Sequence, residues 1–86
     1  MKRITNAFMN AVLDVNEKHP EYSKKKHEYA VFRKLFDYET ERLRLEFADD
    51  TEREVYNLLC WRLWQYGSTY DSSEATIALN DYFNDT

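Results

Sequence analysis

The sequence predicts an all-α protein, a small bundle of about four helices. Apolar residues near the start of the chain recur at the spacing of one helical face. Gly67 and Pro20 are the only glycine and the only proline in 86 residues, so few positions favour a break. Thr51 and Glu54 have the T-x-x-E spacing of a helix-capping box. The alternative is an α+β fold with a short strand or hairpin that involves residues 42–47.

The first predicted helix ends near His19. Its apolar residues share one helical face, namely Ile4, Ala7, Phe8, Ala11, Val12 and Val15. Asn6, Asn10 and Asp14 interrupt the apolar run and no small-residue cleavage site follows, which argues against a signal peptide. Since no apolar run has the length of a membrane span, we expect no membrane association.

The second predicted helix runs from Pro20 to Phe47. Pro20 suits its first position, where the missing N–H costs nothing. The helical template aligns one apolar stripe, namely Tyr29, Phe32, Phe36, Leu43 and Phe47. Leu43, Leu45 and Phe47 also alternate with charged residues as in a half-buried strand, but no other segment alternates cleanly enough to pair with them. Helix is therefore favoured, and pairing with residues 29–36 or across a dimer is the alternative.

The third predicted helix starts at the capping box and ends at Tyr66, where Gly67 suits a left-handed cap. One broad arc forms its core face, namely Val55, Tyr56, Leu59, Cys60, Leu63 and Tyr66. Trp61 and Trp64 lie on the far side, near Asn57. Either both indoles are buried in a helix that is apolar all round, or they are anchors in a partner or dimer interface.

The fourth predicted helix starts between Asp71 and Ser73 and reaches Phe83. Its inner face carries Ala75, Ala78, Leu79, Tyr82 and Phe83. The sequence has no repeat or long linker, so residues 1–86 are predicted to form a single domain. A domain of this size buries roughly 60% of the surface that its unfolded chain exposes, which leaves little stability to spare.

No residue pattern indicates catalysis, a metal or a cofactor. Cys60 is the only cysteine, which rules out an internal disulfide and fits a reducing, cytoplasmic compartment. It also falls on the core arc, as a buried small side chain does. His19 and His27 belong to no metal-binding or nucleophile motif. We therefore expect a protein that is not an enzyme.

Charge is divided unevenly along the chain. Residues 1–36 hold eight basic and four acidic residues, a balance of +4, whereas residues 37–86 hold four basic and twelve acidic residues, a balance of −8. The total is the formal net charge of −4. No basic residue follows Arg62. This acidic second part suits a basic partner.

Candidate partner-binding residues come from that acidic, aromatic second part. They are Asp49, Asp50, Trp61, Trp64, Tyr70, Asp71, Glu74, Asp81 and Asp85. Glu74, Asp81 and Asp85 are spaced to align on one edge of a helix, about 10 and 6 Å apart along its axis. Such an edge can imitate the regular negative charge of a nucleic-acid backbone. The alternative is an ordinary solvated surface with pairs such as Glu39–Arg42 and Glu41–Arg44.

The segment 24–34 suggests the opposite interpretation. Lys24, Lys25, Lys26, Arg33 and Lys34 lie close to Tyr29 and Phe32, and basic residues interleaved with aromatics can bind nucleic acid. Two observations argue against it. Both aromatic residues lie on the predicted core stripe, and the whole chain is acidic.

In size, acidity and the clustered tyrosines and acids of YGSTYDSSEATIALNDYFND, the chain resembles the small inhibitors of phages and mobile elements, anti-CRISPR proteins among them. The resemblance implies an inhibitor that occupies a nucleic-acid site, or an allosteric surface, on a host nuclease. We expect a protein-interaction module with an acidic, DNA-mimicking surface. The alternative is a helical scaffold protein that forms a homodimer through Trp61 and Trp64.

Overall fold

The computed structural model describes residues 2–23, 26–66 and 72–85, and the side chains of all of these except residues 2, 22, 23, 72 and 85. These residues form four α-helices, namely α1 (Lys2–Lys18), α2 (Tyr29–Arg42), α3 (Asp50–Tyr66) and α4 (Ser72–Asp85), with a short 3-10 helix at Pro20–Ser23. The described ranges contain no strand. The all-α prediction is confirmed, and the strand or hairpin at 42–47 is not formed.

Helices α1 and α3 form the centre of the bundle. Each of them packs against the other three helices, whereas α2 and α4 do not touch each other within the described residues. The two outer helices therefore lie on either side of the α1–α3 pair.

The core is built from the faces that the sequence predicts for α1 and α3. Its buried residues are Ile4, Phe8, Ala11, Val12, Val15, Phe32, Phe36, Val55, Tyr56, Leu59, Cys60, Leu63, Ala75 and Ala78. Phe8 stacks on Phe36 with ring centroids 6.2 Å apart and meets Tyr56 edge-on at 6.0 Å. These ring contacts join α1, α2 and α3 in the core.

Helix α2 begins at Tyr29, so the prediction of a start at Pro20 is wrong. Pro20 opens only the 3-10 helix. Glu28 has an extended backbone, with φ −61° and ψ 149°. The preceding carbonyl, that of His27, accepts a hydrogen bond of 2.7 Å from Trp64 Nε1. A tertiary contact thus uses the backbone group that a continuous helix would have used, and the helix starts after it.

Helix α2 ends at Arg42, so the prediction that it extends to Phe47 is also wrong. The amide of Arg44 donates to the carbonyl of Glu41, and that of Leu45 donates to the carbonyl of Thr40. These bonds form a Schellman motif, with Arg44 at φ 57° in the left-handed position that glycine usually occupies.

The segment after this motif keeps its alternating burial without forming a strand. Leu45 and Phe47 are half-buried against the core, whereas Arg44, Glu46 and Ala48 are exposed. The alternation in the sequence therefore marks the inward-facing side chains of an irregular connection.

Helix α3 starts two residues before the predicted position. Asp49 Oδ1 accepts a hydrogen bond of 2.9 Å from the amide of Glu52, and Glu52 Oε1 accepts one of 2.7 Å from the amide of Ala48. Asp49 therefore caps the helix, and Glu52 reaches back to the amide of the residue before the cap. The arrangement is similar to a capping box, but it uses Asp49 and Glu52 rather than Thr51 and Glu54. The helix ends at Tyr66 as predicted, although Tyr66 itself is exposed. The predicted cap Gly67 lies outside the described residues.

Helix α4 buries a narrower face than its sequence predicts. Ala75 and Ala78 are fully buried, and Leu79 and Tyr82 are partly buried against the core. Phe83 is 53% exposed, so its predicted place on the inner face is wrong.

Candidate functional site

The outward side of α3 presents one straight line of exposed residues, which we call the α3 ridge. It consists of Asp50, Glu54, Asn57, Trp61 and Gln65, all exposed. Their spacing of four, three, four and four residues keeps them on one helical face. At 1.5 Å per residue, Asp50 and Trp61 lie about 16 Å apart along the axis. The ridge is acidic at its N-terminal end and aromatic towards its C-terminal end.

The indole of Trp61 is held in place although it is 41% exposed. Tyr29 meets it edge-on with ring centroids 4.9 Å apart, and the ring of Trp64 lies 5.1 Å away. Trp64 is half-buried, and Lys26 Nζ lies 4.2 Å from the centroid of its ring. Of the two roles the sequence leaves open for the tryptophans, burial thus fits Trp64, whereas Trp61 presents an oriented apolar surface to solvent.

The two acids at the start of α3 differ in what they do. Asp49 caps the helix, so its carboxylate is already bonded to the backbone. Asp50 is exposed in the first turn, where a negative charge is favoured by the helix dipole. Between them, only Asp50 lies on the α3 ridge.

Asp81 on α4 lies towards the other end of the molecule. Asp81 is half-buried and accepts a hydrogen bond from the hydroxyl of Tyr66, the last residue of α3. Asp50 starts that helix, so the two acids lie towards opposite ends of an element about 24 Å long. Glu74 is half-buried in the first turn of α4. Asp50 and Asp81 therefore do not belong to one acidic patch.

Three further candidate residues lie wholly or partly outside the residues that the structure describes. Tyr70 and Asp71 lie outside the described residues. Asp85 is the last residue of α4, and its side chain lies outside them as well. No basic residue lies in the last turn of α3 or of α4. The negative C-terminal ends of these two helices are therefore not offset by a cation in their own last turns.

The basic segment 24–34 does not form an open aromatic platform of its own. Phe32 is fully buried, and Arg33 Nε donates to Asp37 Oδ1 at 2.9 Å. Lys26 lies over Trp64. Lys24 and Lys25 lie outside the described residues.

A buried carboxylate links α1 to α2. The side chain of Glu39 is fully buried, with Arg42 Nε 2.9 Å from its Oε2 and His19 Nε2 3.5 Å from its Oε1. Arg42 also donates to Asp14 Oδ2 at 2.7 Å. The i, i+3 pair that the sequence indicates is therefore formed, but as part of the packing between helices. Arg44 forms no ion pair within the described residues, so the predicted Glu41–Arg44 pair is not seen there.

The groups most strongly affected by burial are inert. Burial raises the pKa of the Cys60 thiol to about 12 and also raises the pKa of Tyr56. A thiol with so high a pKa supplies almost no thiolate near neutral pH. Among the described residues, no three His, Cys, Asp or Glu side chains lie together as a metal-binding group.

Two residues of the α3 ridge, Asp50 and Trp61, are predicted from the sequence as partner-binding residues, whereas Glu54, Asn57 and Gln65 are not. Glu54 and Asn57 follow Asp50 at helical spacing, so a helical projection started at Asp50 would have joined them to Trp61. The role of Tyr29 beside Trp61 has no such signal, because it depends on how α2 packs against α3.

Comparison with protein-family models, curated proteins and solved structures found no match for this chain. In the described part of the chain, none of the helices combines the length and the apolar character that crossing a membrane requires.

Proposed function

We propose that this protein is a non-catalytic interaction module that binds a basic partner protein through the α3 ridge. The observation that carries the proposal is Trp61, an exposed indole fixed by Tyr29 and Trp64 on the same face as Asp50 and Glu54. Tryptophan is enriched among the residues that dominate binding energy. An indole that is already oriented also loses little side-chain freedom on binding.

The acidic end of the ridge defines the partner's chemistry. Asp50 and Glu54 suit a basic surface that lies on the order of 10–16 Å from an apolar pocket able to take Trp61. Proteins that handle nucleic acids carry such basic surfaces. On this proposal the protein is an inhibitor that occupies a nucleic-acid site, as the resemblance to phage and mobile-element inhibitors implies.

The test is capture of partners by a tagged copy from a bacterial lysate treated with nuclease, followed by elution with competing DNA. The expected result is a basic protein that wild type retains and DNA displaces. Trp61→Ala and the double variant Asp50→Asn/Glu54→Gln should each lose it.

Matched controls lie elsewhere on the surface. Leu13→Ala removes an exposed apolar side chain from α1, and Glu17→Gln/Glu21→Gln removes the same charge as the ridge variant. Both controls should bind like wild type. Equal retention by the ridge variants and the controls would refute the proposal.

A second candidate function is self-association through the same ridge. An antiparallel pair of α3 helices with its two-fold axis beside Asn57 would place Glu54 of each copy opposite Trp61 of the other. Lys26, next to Trp64, would then approach the acids of the second copy, so the ridge complements itself in charge. A single helical face buries less than the roughly 800 Å² per partner of standard interfaces, so we expect a dimer with a Kd of about 10 μM rather than a tighter one.

Sedimentation velocity separates the two candidates. The scaffold function predicts a concentration-dependent dimer that Trp61→Ala abolishes. A wild-type monomer at about 100 μM, a concentration at which a micromolar dimer is populated, would exclude it.

A further inference from the structure

A half-open groove lies on a different part of the surface, between α1 and the connection from α2 to α3. Its volume is about 460 Å³, which falls within the roughly 300–1,000 Å³ of small-molecule sites. Ala7 and Ala11 line it from α1, and Leu43 and Leu45 line it from the connection. Small side chains on one wall leave room beside two apolar ones, so the groove can take an apolar body.

Cationic groups outnumber anionic ones in the lining, although the chain as a whole is acidic. Arg3, Arg44 and Glu46 are the charged residues there. Arg3 is already engaged, because its guanidinium bonds to the carboxylate of Glu52 and to the carbonyl of Glu46. Arg44 is exposed and forms no ion pair within the described ranges. One guanidinium at the groove is therefore available to a ligand.

The backbone conformation of Arg44 supports a ligand-binding role for its side chain. A non-glycine residue at φ 57° is uncommon, and such strain recurs at functional sites. The Schellman bonds of Arg44 and Leu45 fix the position from which the side chain projects. These bonds also occupy carbonyls at the end of α2, which makes that end less repulsive to an anion.

We infer that this groove binds a small amphipathic monocarboxylate. The ligand's carboxylate pairs with the guanidinium of Arg44, and its aryl or alkyl body lies against Ala7 between the two leucines. A planar guanidinium suits a carboxylate because it can donate two parallel hydrogen bonds. Glu46 in the same lining disfavours ligands with more than one negative charge.

The test is a titration of ¹⁵N-labelled protein with 4-phenylbutyrate, followed by amide chemical shifts. A ligand of this size in a half-open site is expected to bind with a Kd of about 1 mM. Shifts should centre on Ala7, Ala11, Arg44 and Leu45. The uncharged 4-phenyl-1-butanol should bind about tenfold more weakly, since it lacks the charge-assisted pair.

Three variants decide the role of the arginine. Arg44→Gln should weaken 4-phenylbutyrate binding about tenfold, whereas Arg44→Lys, which keeps the charge but loses the bidentate geometry, should weaken it about threefold. Arg53→Gln, an exposed arginine on α3 outside the groove, should bind like wild type. If Arg44→Gln and Arg53→Gln bind equally well, or the alcohol equals the acid, the carboxylate site is refuted.

A last variant tests the groove itself. Ala7→Leu fills the α1 wall and should abolish the shifts while the amide spectrum stays dispersed. Unchanged binding by this folded variant, or no saturable shifts in wild type at about 10 mM 4-phenylbutyrate, well above the expected Kd, would overturn the inference.

Discussion

Replacing Arg44 by glycine should stabilise the protein. Arg44 occupies the left-handed position of the Schellman motif that ends α2, with φ 57°. In that conformation a side chain with a Cβ atom crowds its own backbone, and glycine does not. The substitution leaves the hydrogen bonds of the motif intact, because they are made by backbone atoms.

The magnitude follows from two opposing terms. Relief of the left-handed conformation is worth about 1–2 kcal/mol, and the extra freedom of glycine in the unfolded chain costs about 0.5–1 kcal/mol. The difference between these two ranges is about 0–1.5 kcal/mol, with a central value of about 0.75 kcal/mol as the expected net gain. For a domain of this size that raises Tm by roughly 3–6 °C.

Thermal and urea unfolding followed by circular dichroism provide the assay. Arg44→Ala should stay close to wild type, because it keeps the Cβ atom. Lys34→Gly, at an exposed position within α2, should lower stability by about 1 kcal/mol, the ordinary cost of glycine in a helix. If Arg44→Gly destabilises the protein as Lys34→Gly does, the left-handed geometry of residue 44 is wrong.

Three other predictions concern charge and packing. The pKa of Glu52 lies below its ordinary value because it accepts hydrogen bonds from a guanidinium and a backbone amide. Wild type should therefore be more stable than Glu52→Gln above about pH 4.5. This advantage should disappear as the pH falls through the lowered pKa. A constant difference in urea midpoint from pH 7 to about pH 2 would contradict the prediction. Glu39→Met should keep a free energy of unfolding within about 1 kcal/mol of wild type. Arg42→Met leaves the buried carboxylate without its nearest donor, so it should lower the urea midpoint more than Glu39→Met does. The reverse order would contradict a buried, charged Glu39. In the same assay, Trp64→Ala should lower the free energy of unfolding by about 3 kcal/mol and Trp61→Ala by about 1 kcal/mol. Only Trp64→Ala loses half-buried packing and a hydrogen bond. Equal losses would contradict the difference in burial.

The sequence identifies the helices of this fold better than their limits. The periodic apolar face of α1 predicts both its extent and its buried residues, because local spacing alone defines them. The end of α2 was missed because its Schellman motif carries Arg44, and sequence rules look for glycine there. The start of α3 was shifted because D-x-x-E at Asp49 and T-x-x-E at Thr51 overlap. The helix uses Asp49 and Glu52, and Glu52 also bonds to Arg3, which is distant from it in sequence.

The candidate site, like the helices, was predicted where local spacing defines it and missed where tertiary contacts do. Trp61 and Asp50 were predicted from residue type and helical position, which also suffice to align them on one ridge. The burial of Glu39 was not predicted, although it lies three residues after Phe36 on the core side of α2. A carboxylate at such a position is ordinarily assigned to solvent. Its nearest partner, Arg42, lies on the same helix, but the second partner, His19, is brought to it only by tertiary packing.

Cys60 gives the protein a built-in reporter of its own opening. It is the single thiol of the chain, and it is fully buried on α3 beside Tyr56. A thiol reagent can reach it only when the centre of the bundle opens, so the labelling rate measures the opening equilibrium directly. Changes at the bundle centre, where α1 meets α3, should accelerate labelling, whereas fraying at the ends of α4 should not. The free energy of local opening can thus be followed in the wild-type protein, without an engineered cysteine.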